Sequence, residues 1–221
     1  MKVPSNVVFR KGNERDIEFL VDGIILAEKS GSEILSYSTI FELPETEIKS
    51  LLMEILSEDV TGQELCFSDY TVAEVDGKQA GALCSWVEGE GGQSSTILKG
   101  TLIQHFFPSG SVQNAFRKKN LLDQVTIHRT KNLLMLENGW VAEGFRGAGV
   151  FKAMFIEKFR MFRELYPHIK ICQAQFMKSN PVGIPFYLNL GFRLVQEKTC
   201  NDPEILKLIP SNTRVMMELD L

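Results

Sequence analysis

The stretch Val141–Met154 reads VAEGFRGAGVFKAM, and it decides the fold predicted for this chain. The apolar run Leu133–Leu136 ahead of it predicts a strand, and apolar residues recur at helical spacing from Val150 to Phe159. The glycines therefore lie where a strand turns into a helix. Backbone N–H groups at a helix start lack an intrahelical partner, and glycine lets a bulky anion approach them. The stretch thus predicts a phosphate-binding turn.

Two familiar phosphate-binding motifs do not fit this turn. A Walker loop needs Gly-Lys-Ser/Thr at the helix start, whereas Gly149 is followed by Val150 and Phe151. A dinucleotide-binding fold places Gly-x-Gly-x-x-Gly after its first strand. Here the turn comes late in the chain and has the spacing Arg-Gly-x-Gly.

Alternating and helical patterns of apolar residues predict a sheet with helices around it. The predicted strands cover Val7–Phe9, Thr71–Val75, Ala80–Val87, Leu133–Ala142, Ile169–Phe176, Phe192–Lys198 and Arg214–Leu219. The predicted helices follow Asn13, Pro44 and Gly149, with a short one at Pro185–Leu190. Loops are expected at Ser30–Phe41 and at the glycine-rich Glu88–Ser95. The segment Thr96–Lys131 is expected to be an insertion over the core, with one or two helical turns at Val112–Leu122. This order predicts a mixed α/β domain with one central sheet.

Length and charge restrict the classes of function. A chain of 221 residues fits one large domain or two small ones. Its net charge of −4 and pI of about 5.5 give no global field that attracts nucleic acid or an anionic membrane. The one basic cluster, Arg117–Lys119 with Arg129 and Lys131 beyond it, is expected to be a solvated helix face. We therefore expect no nucleic-acid partner and no membrane partner.

The cysteines do not form a pattern typical of a metal site. Cys66, Cys84, Cys172 and Cys200 are far apart, and Cys84 and Cys172 lie in apolar runs where a thiol packs as a small hydrophobe. The segment Met1–Asn6 lacks the apolar run of a signal peptide, and no stretch approaches the length of a membrane span. We expect a cytoplasmic protein without a metal.

Two blocks of the chain resemble the GNAT-type acyl-CoA N-acyltransferases. The first block, Arg146–Phe151 after a strand end at Val141, resembles the family signature Arg/Gln-x-x-Gly-x-Gly/Ala. The second family block is an Asn, a Tyr seven residues later and a Gly-Phe four residues beyond; in this chain it is formed by Asn180, Tyr187, Gly191 and Phe192. Phe151 stands where the first block usually ends in a small residue, and Glu143 stands in place of the usual proline.

This resemblance implies an α/β (α+β) GNAT fold, with residues 1–221 forming a single domain that carries an insertion at about 96–131. The fold has one central mixed, mostly antiparallel sheet of about seven strands flanked by helices. The sheet is splayed between the fourth and fifth strands, and the resemblance places the separation after Leu136.

The activity implied by the resemblance is transfer of an acetyl group from acetyl-CoA, the co-substrate, to a primary amine of a small molecule or peptide. The amine would attack the thioester directly, and the N–H group of Val141 would stabilise the charge on the carbonyl oxygen. The pantetheine arm would pair with the backbone of Trp140 and Val141, and Asn180 would bond that arm or its own turn. The diphosphate would rest on the N–H groups of Arg146, Gly147, Ala148, Gly149, Val150 and Phe151. The resemblance also allows a homodimer.

Two proton transfers need residues. The resemblance assigns Tyr187 to the leaving thiolate, since a phenol of pKa about 10 can share a proton with a thiol near 8.5. The alternative for Tyr187 is a core tyrosine whose hydroxyl is paired to backbone. Several family members carry a Glu base at the position of Gln175. Glu137 and Glu143 are the next candidates for the base, each equally suited to a salt bridge, and proton transfer through water is open as well.

Two other functions stay open at this point. Gln175 and Phe151 suggest a GNAT-fold module that binds acyl-CoA or a partner without catalysis, and the insertion suggests a protein-interaction role. The acceptor pocket is expected to be shaped by Glu28–Phe41, by Glu88–Ser95 and by the insertion, none of which carries a readable code for the acceptor. Four aromatic residues would line that pocket or, as is usual in strands, pack in the core: Trp86, Phe106, Phe107 and Trp140.

Overall fold

Seven strands pair in one sheet in the computed structural model, which describes residues 6–221. They are β1 Val7–Lys11, β2 Tyr70–Val75, β3 Lys78–Val87, β4 Leu134–Val141, β5 Ile171–Met177, β6 Arg193–Thr199 and β7 Thr213–Asp220. The order across the sheet is β1-β2-β3-β4-β5-β7-β6. All neighbouring strands are antiparallel except β4 and β5, which run parallel. The predicted strands and the mixed, mostly antiparallel sheet are confirmed.

Helices cover both faces of this sheet. They are α1 Ile17–Lys29, α2 Ser36–Phe41, α3 Glu45–Ser57, α4 Ser95–Phe106, α5 Ser109–Leu122, α6 Val150–Leu165 and α7 Gly183–Asn189. Phe155 of α6 belongs to a buried cluster with Leu83 of β3. Ile24 of α1 and Leu52 of α3 belong to a second cluster with Val72 of β2. Because side chains alternate along a strand, the two clusters lie on opposite faces.

The expectation of a loop over Ser30–Phe41 is wrong in its second half, where α2 lies. The ammonium group of Lys118 on α5 donates to the carbonyls of Thr39 and Ile40, each at 2.9 Å, and to the Glu42 carboxylate at 2.7 Å. A cation at the last carbonyls of a helix stabilises that helix. The helix thus depends on a residue 79 positions away, which no local pattern shows.

The segment 96–131 is mostly helical. α5 spans fourteen residues, so the expectation of one or two turns at Val112–Leu122 is too short. Leu102 of α4 and Phe107 are buried in the same cluster as α1 and α3. The segment therefore packs on the α1 face of the sheet and covers that part of the core. That it is an insertion into the domain stays a prediction.

β4 and β5 separate soon after they pair. Leu134–Leu136 lie opposite Cys172–Ala174, and the two strands have no further pairing. A bulge in β4 accompanies the separation, because Cys84 lies opposite Glu137 whereas Ala82 lies opposite Trp140. The predicted splay after Leu136 is confirmed.

The structure also bears on the predictions about membrane spans, metal sites and cysteines. Among residues 6–221, no helix is long and apolar enough to cross a membrane, and no group of three or more His, Cys, Asp or Glu could hold a metal ion. Cys84 and Cys172 are free and wholly buried, as predicted. The prediction made on the N-terminus concerns mainly Met1–Ser5, which lie outside the described residues. The cytoplasmic setting stays a prediction.

Candidate active site

The splay between β4 and β5 opens a cavity of about 270 Å³. Glu137 and Gly139 of β4 line one wall, and Gln175 of β5 and Tyr187 of α7 line others. The C-terminal part of α1 contributes Glu28. The cavity thus brings together residues from distant parts of the chain at the place where the sheet comes apart.

The Phe151 side chain forms part of this cavity wall. Its ring packs against Gly139 so closely that a Cβ atom at Gly139 would lie 2.6 Å from the ring. It also packs against Phe186, with ring centroids 4.8 Å apart. The departure from the family signature at Phe151 is therefore matched by a glycine on the facing strand, and the large side chain does not disrupt the start of α6.

The loop before α6 carries free N–H groups, as a phosphate site requires. Gly147 and Gly149 adopt φ values of 77° and 80°, a region that favours glycine. The first bond of the helix runs from the N–H of Ala153 to the carbonyl of Gly149 at 3.1 Å. Four of the six N–H groups named from the sequence have no partner within the described residues: those of Gly147, Gly149, Val150 and Phe151.

The other two N–H groups are used within the loop itself. The N–H of Arg146 donates to the carbonyl of Glu143 at 3.2 Å, and that of Ala148 donates to the carbonyl of Phe145 at 3.4 Å. The prediction that every N–H from Arg146 to Phe151 faces phosphate is therefore wrong for these two, because the loop turns tightly before the helix begins.

The backbone groups of Val141 and Trp140 point in opposite directions. The N–H of Ala142 donates to the carbonyl of Ala80 at 2.9 Å, and hydrogen bonds alternate in direction along an antiparallel pair. The peptide groups of Trp140 consequently face β3, and those of Val141 face away from it. The Nε atom of Arg146 donates to the carbonyl of Val141 at 3.2 Å, so this exposed side chain is not paired with a carboxylate in the described chain.

The Trp140 side chain is a packing residue. Its ring lies 4.5 Å from that of Phe19, centroid to centroid, and covers Gly23 of α1. Because the peptide groups of Trp140 face β3, the prediction that its backbone is free for a ligand is wrong. Phe107 packs against Phe41 at 4.6 Å, and Trp86 is buried, so both of these aromatic residues belong to the core.

Glu137 is held by a buried network of charges. Nη2 of Arg129 donates to Oε1 of Glu137 at 3.0 Å and lies 3.4 Å from Oε1 of Glu64, to which Nζ of Lys99 donates at 2.7 Å. Burial raises the pKa of Glu137, and the charge of Arg129 opposes that rise. Burial would also raise the pKa of Glu64, but Arg129 and Lys99 lower it to about 2. Glu137 is thus the carboxyl group of this network that is suited to accept a proton.

Tyr187 lines the cavity and carries an unpaired hydroxyl. Its ring stacks on Phe176 with centroids 5.0 Å apart, and it meets Phe155 and Phe192 edge-on. Its hydroxyl makes no hydrogen bond within residues 6–221, so it is not the backbone-paired core tyrosine of the alternative. Burial, reinforced by the nearby charge of Glu137, raises the pKa of Tyr187 well above its ordinary value.

Asn180 and Gln175 take different parts in the same cavity. Oδ1 of Asn180 accepts from the N–H groups of Val182 and Gly183 at 3.1 and 3.0 Å, so this atom holds its own turn. The amide of Gln175 is buried, and its Nε2 atom has no partner within the described chain. Gln175 therefore provides an unpaired amide hydrogen-bond donor at the position where several family members carry a Glu base.

Glu143 lies away from the other candidates. It is exposed in the turn that leads to α6, and it does not line the cavity. Glu143 follows Glu137 by six positions and lies beyond the end of β4 at Val141. The two carboxyl groups named as possible bases are therefore not brought together, and only Glu137 lies at the splay.

A second cavity of about 410 Å³ adjoins the first on the α1 face. Tyr37 of α2 and Lys99 of α4 line it, so the region Glu28–Phe41 and the segment 96–131 both contribute to its wall. Arg129 lies here as well, only 15% exposed, which corrects the expectation that it belongs to a solvated helix face. Four residues line both cavities: Glu28, Glu137, Asn138 and Arg214.

The loop Glu88–Ser95 does not shape either cavity at the splay. The buried Glu88 carboxylate accepts from Nε1 of Trp86 and from the N–H of Ser95, each at 2.9 Å. The residues after it line a separate cavity of about 730 Å³, next to Lys158 of α6. A contribution of this loop to the acceptor pocket therefore stays a prediction.

Sequence reasoning did not single out Glu64, Lys99 or Arg214. No short motif contains them, because they come from a loop, the insertion and the last strand. The one feature that marks them is a charged side chain in largely apolar surroundings. Those surroundings form only when the chain folds, so the sequence does not show them.

The fold is that of GNAT acetyltransferases. No protein-family model matches the sequence, and no curated protein is similar to it in sequence. The structure is similar to an N-acetyltransferase from Staphylococcus aureus Mu50, with 13% identity, a TM-score of 0.67 and coverage of 96% of this chain and 100% of that chain. It is similar to a GNAT-family acetyltransferase from the same organism, with 12% identity, a TM-score of 0.53 and coverage of 97% and 99%. It is also similar to the polyamine N-acetyltransferase of Drosophila melanogaster, which catalyses the formation of N-acetylagmatine, with 14% identity, a TM-score of 0.55 and coverage of 97% and 100%. At such identities the likeness shows the fold.

Proposed function

We propose that the protein is an N-acetyltransferase that transfers the acetyl group of acetyl-CoA to a primary amine of a small molecule or peptide. The observation that carries this proposal is the cavity at the splay, which has Glu137 on one wall and the unpaired hydroxyl of Tyr187 on another. A carboxylate with a raised pKa and a free phenol are the base and acid that this reaction needs.

Acetyl-CoA would bind along the cleft and across the start of α6. The pantetheine arm donates to the backbone C=O of Val141, in the manner of an added strand, and the N–H of Val141 is kept for the oxyanion. The diphosphate accepts from the free N–H groups of Gly147, Gly149, Val150 and Phe151, where the helix dipole favours negative charge. The guanidinium of Arg146 lies beside this loop and adds positive charge.

The reaction begins when Glu137 removes a proton from the ammonium group of the acceptor. The neutral amine attacks the thioester carbonyl, and the N–H of Val141 donates to the developing oxyanion. When the carbon–sulfur bond breaks, Tyr187 donates its proton to the thiolate, and the second proton of the attacking nitrogen passes through solvent to the Tyr187 phenolate. The desolvation that raises the pKa of Tyr187 also raises that of a thiol in the same cavity, so the acid and its acceptor stay matched.

We also propose that the whole chain acts as one acetyltransferase domain with 96–131 as an insertion. All seven strands described belong to one sheet, and Lys99 and Arg129 of the insertion line the cavity next to the splay. Both facts support an insertion that completes the acceptor site.

Calorimetric titration with CoA and an assay of thiol release test the proposal together. We expect CoA binding, thiol release with at least one class of amine, and a loss of about 100-fold or more in kcat for Glu137→Gln. Absence of CoA binding at millimolar concentration would contradict the proposal. Binding of CoA without thiol release across a broad panel of amines would favour the non-catalytic acyl-CoA module.

A further inference from the structure

The junction of the two cavities contains one carboxylate and one guanidinium without partners. Glu28 and Arg214 both line the 270 Å³ cavity and the 410 Å³ cavity. Neither side chain forms a hydrogen bond or an ion pair within residues 6–221. Nε of Arg214 is buried. The site thus presents two opposite charges that the folded chain leaves unpaired.

The remaining charged side chains of the larger cavity already form ion pairs within the chain. Lys99 pairs with Glu64 at 2.7 Å, and Arg129 pairs with Glu137 at 3.0 Å. Three acidic and three basic side chains line this cavity, so its net charge is zero. Such a balance gives a polycation no electrostatic preference, unlike a cavity lined by carboxylates alone.

Stability does not explain Arg214. Burying a guanidinium atom without a partner costs free energy, and natural proteins keep such groups mainly where a ligand uses them. The buried Oγ of Ser36 and hydroxyl of Tyr37 also line the cavity without partners. These unpaired groups together indicate a polar occupant.

We propose that the acceptor is an amino acid, an amine that also carries a carboxylate, with its carboxylate on Arg214 and its ammonium group at Glu28. This inference rests on the proposed function. A planar guanidinium binds a carboxylate through two parallel hydrogen bonds, which fixes orientation as well as affinity. The ammonium group is then held at the junction, where Glu137 takes its proton and the thioester lies in the adjoining cleft. The acceptor class differs from the polyamine named for the similar Drosophila enzyme.

The test compares each free α-amino acid with its own carboxamide, and with spermidine, in the assay of thiol release from acetyl-CoA. We expect at least one amino acid to be acetylated in preference to its carboxamide and to spermidine. Arg214→Gln should lower the ratio of kcat/KM between acid and carboxamide by about 10- to 100-fold. Its thermal midpoint should not fall, since the variant removes a guanidinium whose buried Nε atom has no partner.

Arg193→Gln is the matched control, because Arg193 is an exposed arginine on β6 that pairs with Asp220 and Glu218. Its ratio should equal that of the unchanged protein. Equal losses on acid and carboxamide in Arg214→Gln would make Arg214 a structural residue and overturn the inference. Preference of the unchanged protein for spermidine or carboxamides would overturn the acceptor class while leaving acetyl transfer intact. Absence of both CoA binding and thiol release would contradict the proposed function, and the inference with it.

Discussion

Nη2 of Arg129 lies 3.0 Å from Oε1 of Glu137, and this contact ties the insertion to the strand that borders the cleft. The same guanidinium lies 3.4 Å from Glu64. A positive charge at this distance favours the ionised carboxylate. Arg129 therefore lowers the pKa of Glu137, which burial raises. The contact therefore sets the pH at which the proposed base becomes active.

Arg129→Gln should move the acid limb of the pH profile of kcat/KM to higher pH by about one unit. Without the guanidinium, Glu137 keeps its proton to a higher pH, and the acid limb reports the base of the free enzyme. The profile is measured by thiol release, with circular dichroism to verify folding. The exposed Arg117→Gln on α5 should leave the limb in place. A limb that does not move in Arg129→Gln would exclude Glu137 as the base.

Tyr187→Phe should lower kcat by about 100-fold and leave the affinity for CoA nearly unchanged. The substitution removes only the hydroxyl, and that hydroxyl has no hydrogen bond within the described residues to lose. Rapid-quench turnover and calorimetry measure the two quantities. Tyr166→Phe is the control, since its hydroxyl contacts the exposed Glu90 at 3.3 Å. Parallel losses of turnover and affinity in Tyr187→Phe would identify a structural tyrosine.

Gly23→Ala should destabilise the protein, although alanine is the better helix former by about 1 kcal/mol. The new Cβ atom would lie 1.8 Å from Nε1 of Trp140, and such overpacking costs about 1–3 kcal/mol or more. Gly100→Ala is the matched case, because Gly100 lies in α4 with no atom within 4 Å of the new Cβ. We expect denaturant unfolding to show a loss of stability for Gly23→Ala and a gain for Gly100→Ala. A gain at both positions would refute the contact with Trp140.

Lys158→Met should stabilise the protein at neutral pH. Lys158 is 8% exposed and has no ion pair within the described residues. Burial lowers its pKa from 10.5 to about 8, so the unfolded chain binds more protons between these values. The charged side chain therefore costs about 3 kcal/mol below pH 8, and that cost disappears as the pH rises toward 10.5.

Urea unfolding at several pH values checks this prediction. The unchanged protein should gain stability between pH 8 and pH 10.5 from this group, and Lys158→Met should lack that gain. The exposed Lys152→Met on the same helix should change the free energy of unfolding by less than about 0.5 kcal/mol. A loss of stability in Lys158→Met at neutral pH would mean that the ammonium group has a partner.

Local chemistry made much of the fold predictable. Asp76 and Gly77 adopt φ values of 51° and 73°, the conformation of a two-residue hairpin turn. An Asp-Gly pair between two strands predicts this turn from the sequence. Gly147 and Gly149 likewise mark a turn with positive φ before a helix. Such residues act within a few positions of the chain, so their effect can be predicted without the rest of the structure.

The loop before α6 shows where such prediction ends. Its glycines locate the free N–H groups, but the sequence did not show that the N–H groups of Arg146 and Ala148 turn back onto Glu143 and Phe145. The direction of each peptide group depends on the exact path of a tight turn. The contact of Phe151 with Gly139 could not be predicted from the sequence either, because it depends on how α6 packs against β4.

The sequence by itself determined the strand order along the chain and the turn at Gly147–Gly149, since periodicity and turn chemistry are local properties. Glu137 and Tyr187 became candidates through the resemblance of two short blocks to the GNAT family. Only the tertiary structure decided that Arg129 pairs with Glu137, that Trp140 packs on Gly23 and that Glu28 and Arg214 meet at one junction. Those relationships join residues that lie far apart in the chain. Burial and Coulomb interactions depend on distance in space, which is set only when the helices and the splayed sheet have packed together.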